Sequence, residues 1–563
     1  MVASSHYLAT DVGHHVLKRG GNVVDAAVSM WFALTLTKPD LVGIAGEVPV
    51  LLWLSDDEKV LAINGSGPAP RRASTEWFRD NGYNLTPEDG FTPAVVPGAF
   101  DAWLMALDEF GTFSLADCLE PSIRIASEGY PMQPSIVRSL ELSEERFKGE
   151  WPTSAAVYLP GGKPPHVGQV FTNHDWARTF SKFADLERGE RKVGRSSALS
   201  ACRDYFYRGP IAETIIGFMD TFKCRDVDGQ EHTGLMSLED FARYRAKVED
   251  PISSNYRGLD VYKCGPWTQG PAQLELYNLL EGFDLKKMGH NSVEYIHTWT
   301  ECAKLAYADR EYYYGDPVFV DVPLGLLLSK NYADERRELV DAEVANMLLR
   351  PGRVDPSVLE PTTRMGFPEE DTVHLEAVDS RGNMISATPS GEWIRTSPLV
   401  LGLGFPMGTR GQQFNLIEGS PNCLAPDKRP RITLTPSLVM RNCEPYMVYG
   451  TPGGDDQDQW TSQFFLNYVD FGMDVQLALD KPTVHTNHFI GSFWPKMVRP
   501  GELRVEPPIP ESVVEGLRAK GHRVVVNKPW SHGKCLAIRF DAQTGVMYGG
   551  ASPRTGDSYA FGW

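Results

Sequence analysis

The stretch from Asp371 to Gly391, DTVHLEAVDSRGNMISATPSG, constrains the fold of this chain more than any other. Val373, Leu375 and Ala377 alternate with His374, Glu376 and Val378, the period of a half-buried strand. Asp379-Ser380-Arg381-Gly382-Asn383 supplies turn residues, with Gly382 available for positive φ. Met384, Ile385, Ala387 and Thr388 read as the return strand. The result is a short hairpin that must find a sheet. Thr372 opens its first strand, just after the acidic, Pro-containing segment Phe367-Pro368-Glu369-Glu370-Asp371. Before that, Pro351, Pro356, Pro361 and Pro368 mark an exposed linker with little hydrophobic periodicity.

Thr372-Val373-His374, then Val378-Asp379-Ser380-Arg381-Gly382-Asn383, then Thr388 and Ser390, resemble the start of the second subunit of the γ-glutamyltransferases. Members of that family are N-terminal-nucleophile enzymes. A precursor cuts itself before a threonine, which becomes nucleophile and new N-terminus together. The resemblance implies a cut between Asp371 and Thr372. The chemistry has a physical reason. A threonine hydroxyl is a weak nucleophile and needs a neighbouring base. The α-amine released by the cut, with a pKa of about 7.7–8.0, lies on the same residue and close to working pH. Thr388 and Ser390 are the candidates to hydrogen-bond Thr372 and orient it.

The resemblance runs along nearly the whole chain. The opening carries Val2-Ala3, His6, a helix, Gly20-Gly21-Asn22, then Asp25-Ala26-Ala27-Val28, and a partial match to a glycine-rich segment at Gly43–Glu47. Two strands are expected at Val50–Leu54 and Val60–Asn64, and a helix start at Ser237 with Asp240 three residues on. Pro426-Asp427-Lys428-Arg429-Pro430 precedes a strand expected from Thr433 to Met440. Gly450-Thr451-Pro452-Gly453-Gly454 stands between a strand and a helix expected from Gln457 to Tyr468. Glycines there let backbone N–H groups point at a ligand. The resemblance makes Gly453 and Gly454 the oxyanion hole that an acyl intermediate needs.

For substrate binding the resemblance implies an arginine after an Ala-Pro segment, a role open to either Arg71 or Arg72. A family hydroxyl pair falls on Ile432 and Thr433, so one hydroxyl survives. A family asparagine is replaced by Glu392, and a family acidic pair by Gln412 and Gln413, with Arg410 where the family has glutamine. Loss of the acids disfavours an ammonium group, and Arg410 favours a carboxylate. The expected substrate is therefore a small amide whose acyl group carries a carboxylate and no α-amine. Two alternatives stand beside it: an ordinary γ-glutamyl hydrolase or transpeptidase acting on glutathione-like compounds, and an uncleaved, non-catalytic binding or scaffold protein.

From the resemblance the fold is expected to be α/β, a four-layer αββα sandwich of the N-terminal-nucleophile hydrolase type. Residues 1–371 form the large subunit and 372–563 the small, catalytic one, as one intertwined unit. A dimer of such heterodimers is left open. A net charge of −18 argues against nucleic-acid or acidic-membrane partners. Eight cysteines without a CxxC pair argue against a disulfide framework or zinc site and for a reducing compartment. Histidines show no metal spacing. His485 and His488, in HTNH, are expected in a surface loop. No metal or organic cofactor is implied. The lack of an apolar leader suggests a cytoplasmic protein.

Overall fold

A computed structural model describes residues 1–354, 372–554 and 556–563. Asp371 and the greater part of the expected linker lie outside the described residues. Two antiparallel sheets form the centre. The first has seven strands in the order Tyr559–Phe561, Val2–Ser4, Leu375–Val378, Met384–Ala387, Val48–Leu54, Lys59–Gly65 and Lys247–Glu249. The second has six: Met547–Ala551, Leu536–Phe540, Glu444–Gly450, Ser437–Arg441, Leu259–Lys263 and Ile252–Tyr256.

Alternation along single strands shows how the layers stack. Val48, Val50 and Leu52 enter a core shared with the helices Tyr7–Lys18, Val23–Thr37, Ala99–Phe110 and Leu115–Glu128. Leu51 and Trp53, on the same strand, enter a second core with Leu438, Val448, Leu536 and Ile538 of the other sheet. Val439, Met447 and Tyr449 face a third core against the helices Gly270–Leu280, Val293–Tyr313 and Gln457–Val469. Three cores between four layers give the αββα sandwich. Both faces of each sheet are covered, so the period-2 pattern carries apolar residues on both sides.

Local signals in the sequence are realised where side chains can act on nearby backbone. Asn22 and Asp25 form a reciprocal capping box at the start of Val23–Thr37. Ser237 and Asp240 do the same for Leu238–Arg243. Other expectations shift. The strand expected from Thr433 begins only at Ser437, because Ile432 bonds instead to the Trp267 carbonyl at 2.9 Å. His374 and Glu376 were expected on a half-solvated face, but the second sheet covers it and both are fully buried. His485 and His488, expected at the surface, are also buried. His485 lies on the strand Val484–Thr486, inside a small separate sheet.

All eight cysteines are unpaired. Among the described residues, no helix is long and apolar enough to cross a membrane. His297 and Glu301, one turn apart on the helix Val293–Tyr313, meet His522 from far along the chain. Lys304 at 2.6 Å and Arg350 at 3.1 Å already hold the Glu301 carboxylate, so two cations occupy the place a metal would need.

Candidate active site

The hairpin Leu375–Val378/Met384–Ala387 places Thr372 just before its first strand and Ser390 just after its second. Thr372 Oγ1 and Ser390 Oγ are 3.0 Å apart and both buried. Ser390 is fixed from behind by paired backbone bonds with Glu47, at 3.0 Å each way. Thr388, the other candidate, is turned one rung further in, with its hydroxyl 2.9 Å from His374 Nδ1. Of the two hydroxyls, Ser390 is therefore the one that meets Thr372 Oγ1, while Thr388 serves the histidine.

The Gly453–Gly454 turn follows the strand Glu444–Gly450 and precedes the helix Gln457–Val469. Both glycines have positive φ, 129° and 54°. The turn is anchored from the other side. Gln269 Nε2 donates to the Gly454 carbonyl at 3.3 Å, and Tyr307 Oη to the Asp455 carbonyl at 2.7 Å. Arg310 pairs with the Asp455 carboxylate at 2.5 Å and holds it below its usual range against burial, with Ser492 donating at 2.6 Å. Tyr307 and Arg310 thus do more than pack the helix Val293–Tyr313. Nothing local in the sequence signals that role.

Two cavities meet at this point. One, of about 500 Å³, is lined by Thr372 with Ser5, Lys38, Asp40, Arg138, Arg395, Pro452, Lys534 and Asp557. The other, of about 430 Å³, is lined by Gly453, Gly454, Asp456, Trp460, His485, Phe493 and Arg504. Pro452 and Lys534 belong to both walls. Thr372 thus lines one side of the Pro452 wall and the Gly453–Gly454 turn the other; acyl transfer needs a nucleophile and oxyanion donors that can reach one carbonyl.

Comparison with known proteins agrees with this geometry. A family model described as Gamma-glutamyltranspeptidase matches residues 9–562. The chain belongs to the gamma-glutamyltranspeptidase family. It is 31% identical to the glutathione hydrolase-like YwrD proenzyme of Bacillus subtilis (strain 168), over 100% of this chain and 98% of that protein. The solved structure of LmbA2991HD is 40% identical with a TM-score of 0.94, covering 100% of this chain and 98% of that one. A cephalosporin acylase from Bacillus halodurans is 32% identical with a TM-score of 0.85, covering 100% and 95%. This gamma-glutamyltranspeptidase-family chain is thus an amidohydrolase or acyltransferase with the N-terminal-nucleophile fold.

The residues expected to bind substrate are dispersed. The Arg71 side chain, 44% exposed, pairs with Glu239 at 2.8 Å and Asp427 at 3.5 Å. Arg72 donates to the carbonyls of Leu235 and Met236. Neither lines the cavity of Thr372. Arg410 is fully buried, but its charge is not available as expected. It bonds Glu47 Oε1 through Nε at 2.6 Å and stacks on the Trp393 ring at 4.6 Å. Gln413, correctly oriented, accepts from Arg410 Nη1 at 3.2 Å and donates to the Arg431 carbonyl at 3.1 Å. Glu392, at φ 56°, turns its carboxyl onto the Ala45 N–H, and burial raises its pKa well above the usual range. The Thr433 hydroxyl is buried with no hydrogen-bond partner among the described residues. Lys38, Arg138, Arg395 and Lys534 went unremarked in the sequence; Lys38, Arg138 and Lys534 reach the site from distant segments.

Proposed function

We propose that this chain is a precursor that cuts itself between Asp371 and Thr372, and that Thr372 then cleaves small amides whose acyl group carries a carboxylate. One observation carries the substrate class: among the described residues, the cavity of Thr372 is lined by Lys38, Arg138, Arg395 and Lys534 and by Asp40 and Asp557, the last paired with Lys38 at 2.7 Å. A carboxylate entering it meets a surplus of positive charge, whereas an α-ammonium meets repulsion. This reading replaces Arg410, whose charge Glu47 neutralises, with cations that line the cavity itself.

In the reaction, Thr372 Oγ1 attacks the carbonyl carbon and its proton passes to the Thr372 α-amine. The backbone N–H groups of Gly453 and Gly454 receive the negative charge that develops on oxygen. Collapse expels the amine, which takes the proton back. Water or a second amine then releases the acyl group. The hydrogen bond between Ser390 Oγ and Thr372 Oγ1 supports the reading by fixing the rotamer of Thr372. A cytoplasmic location goes with it and is supported by eight unpaired cysteines; cell fractionation tests that point.

The test has two stages. Denaturing electrophoresis of the purified protein is expected to show two fragments, the smaller beginning at Thr372. A single intact band after long incubation overturns the precursor reading. Glutaryl anilide and γ-glutamyl anilide are then compared, with glutaryl expected to have the higher kcat/KM. A clear preference for the γ-glutamyl compound, with transfer to a dipeptide, restores an ordinary transpeptidase.

A further inference from the structure

Below Thr372 the hairpin continues as a polar ladder between the two sheets. Thr372 faces Ser390, His374 faces Thr388 at 2.9 Å, and Glu376 is paired in register with Ser386. His374 Nε2 lies 2.8 Å from Glu376 Oε1, so both ring nitrogens are engaged. All of these side chains are buried. The ladder is unusual for a layer otherwise filled by Leu438, Val448, Leu536 and Ile538.

His374 also bridges the two halves of the site. Its ring packs directly on Gly450 of the second sheet, where an added Cβ would lie 2.1 Å from the ring. Gly450 ends the strand that leads into Thr451-Pro452-Gly453-Gly454. The His374 backbone N–H donates to Ser5 Oγ at 2.9 Å, and Ser5 lines the cavity of Thr372. The imidazole therefore sets the spacing between the strand of Thr372 and the strand of the glycine turn.

The protonation of the pair follows from what surrounds it. Glu376 Oε2 and Ser386 Oγ have no hydrogen-bond partner among the described residues. An ionised carboxylate with one bare oxygen in a dry layer is costly, and a neutral carboxyl much less so. The nearest ion pair is Lys263 with Asp458, at 3.1 Å, and it answers to Thr435 and Ser437. Cys535 is a titratable group on which Glu376 acts, though burial is the larger cause of the rise in its thiol. Burial raises the Glu376 carboxyl, and burial with the charge of Lys263 lowers His374 to about 3. Both members are then neutral.

We propose that Glu376 is a positioning residue: as a neutral carboxyl it donates its proton to His374 Nε2, which fixes the Nδ1–H tautomer on Thr388 and holds Thr372 and the Gly453–Gly454 turn at working distance. The part concerning catalysis rests on Thr372 being the nucleophile.

The first measurement is independent of activity. Nitrogen-15 spectra of the histidine-labelled full chain, with the His374 signal assigned by its loss in His374→Asn, are expected to show a neutral ring protonated on Nδ1, unchanged from about pH 5 to 8. An Nε2-protonated ring, or an imidazolium, overturns the proposal. The second measurement follows anilide turnover. Glu376→Leu is expected to lower kcat by about 10²-fold with little change in KM, the scale of a small misplacement of reacting groups. Glu376→Gln, whose amide N–H also donates to Nε2, is expected to restore most of it. Equal damage from Gln and Leu, or none from Leu, overturns the proposal. Should Glu376→Leu fail to fold, Glu376→Gln and the spectra decide it. Should Thr372 prove not to be the nucleophile, the tautomer result still stands or falls alone.

Discussion

At the scale of single residues, the proposed reaction asks one hydroxyl to do two jobs. On that proposal, Thr372→Ala is expected to abolish both self-cleavage and amide turnover. Thr372→Ser keeps an oxygen in the same place and is expected to retain both at a lower level. Electrophoresis and an anilide assay on each variant check this, and turnover by an uncleaved Thr372→Ala protein refutes it. Ser390→Ala is a finer probe. It removes the partner lying 3.0 Å from Thr372 Oγ1 and leaves Thr388 on His374. The expected loss in kcat is about tenfold, the worth of one neutral hydrogen bond. If Thr388→Ala instead gives the larger direct loss in nucleophile rotamer control, seen as cleavage at the wrong bond, the assignment of Ser390 fails.

At the scale of elements, the two glycines of the turn are not equivalent. A Cβ on Gly453 would stand 2.2 Å from the Trp460 ring, which is locked in the third core. A Cβ on Gly454 would meet the edge of Phe493 at 2.9 Å, at φ 54°. Both rings line the same cavity, but Trp460 is also packed in the third core and Phe493 is not, so Trp460 has less freedom to give. Gly454→Ala is therefore expected to fold and to slow acylation by about 10²–10³-fold, the cost of one misplaced oxyanion donor. Gly453→Ala is expected to lower the Tm as well. Burst kinetics and thermal unfolding separate the two, and equal behaviour contradicts the packing argument. The turn, its flanking strand and helix, and the hairpin of Thr372 were legible because each is written in adjacent residues. Glycines, a period-2 alternation and turn residues act over a few positions. What the sequence hid was contact at long range. Arg410 looked free because its partner Glu47 is 363 positions away. Arg71 looked like a substrate clamp because Glu239 and Asp427 are equally remote. His374 and Glu376 looked half-solvated because a single strand does not announce that a second sheet will cover it.

At the scale of the whole molecule, the proposed cut before Thr372 would sever the chain but is expected to leave the fold. In the first sheet the strands Leu375–Val378 and Met384–Ala387 lie between Val2–Ser4 and Val48–Leu54. In the second, Leu259–Lys263 pairs with Ser437–Arg441. All three cores draw apolar side chains from both sides of the cut. Buried ion pairs cross it too: Glu47 with Arg410, Lys263 with Asp458, and Arg310 with Asp455. Pulling the fragments apart would break each of these pairs, and a buried charge left unpaired costs about 3–5 kcal/mol while the remainder stays folded; among the described residues, Arg310 alone would keep a carboxylate, that of Glu311 at 2.6 Å. It would also expose sheet faces that are apolar on both sides, which no solvated protein presents. The two fragments are therefore expected to elute together in size-exclusion chromatography under native conditions and to separate only in denaturant. Residues 1–371 and 372–563 expressed separately are each expected to be insoluble, with activity recovered only on joint refolding. A soluble, well-folded fragment of either kind, or native dissociation after the cut, would show that the interleaved strands do not carry the stability assigned to them.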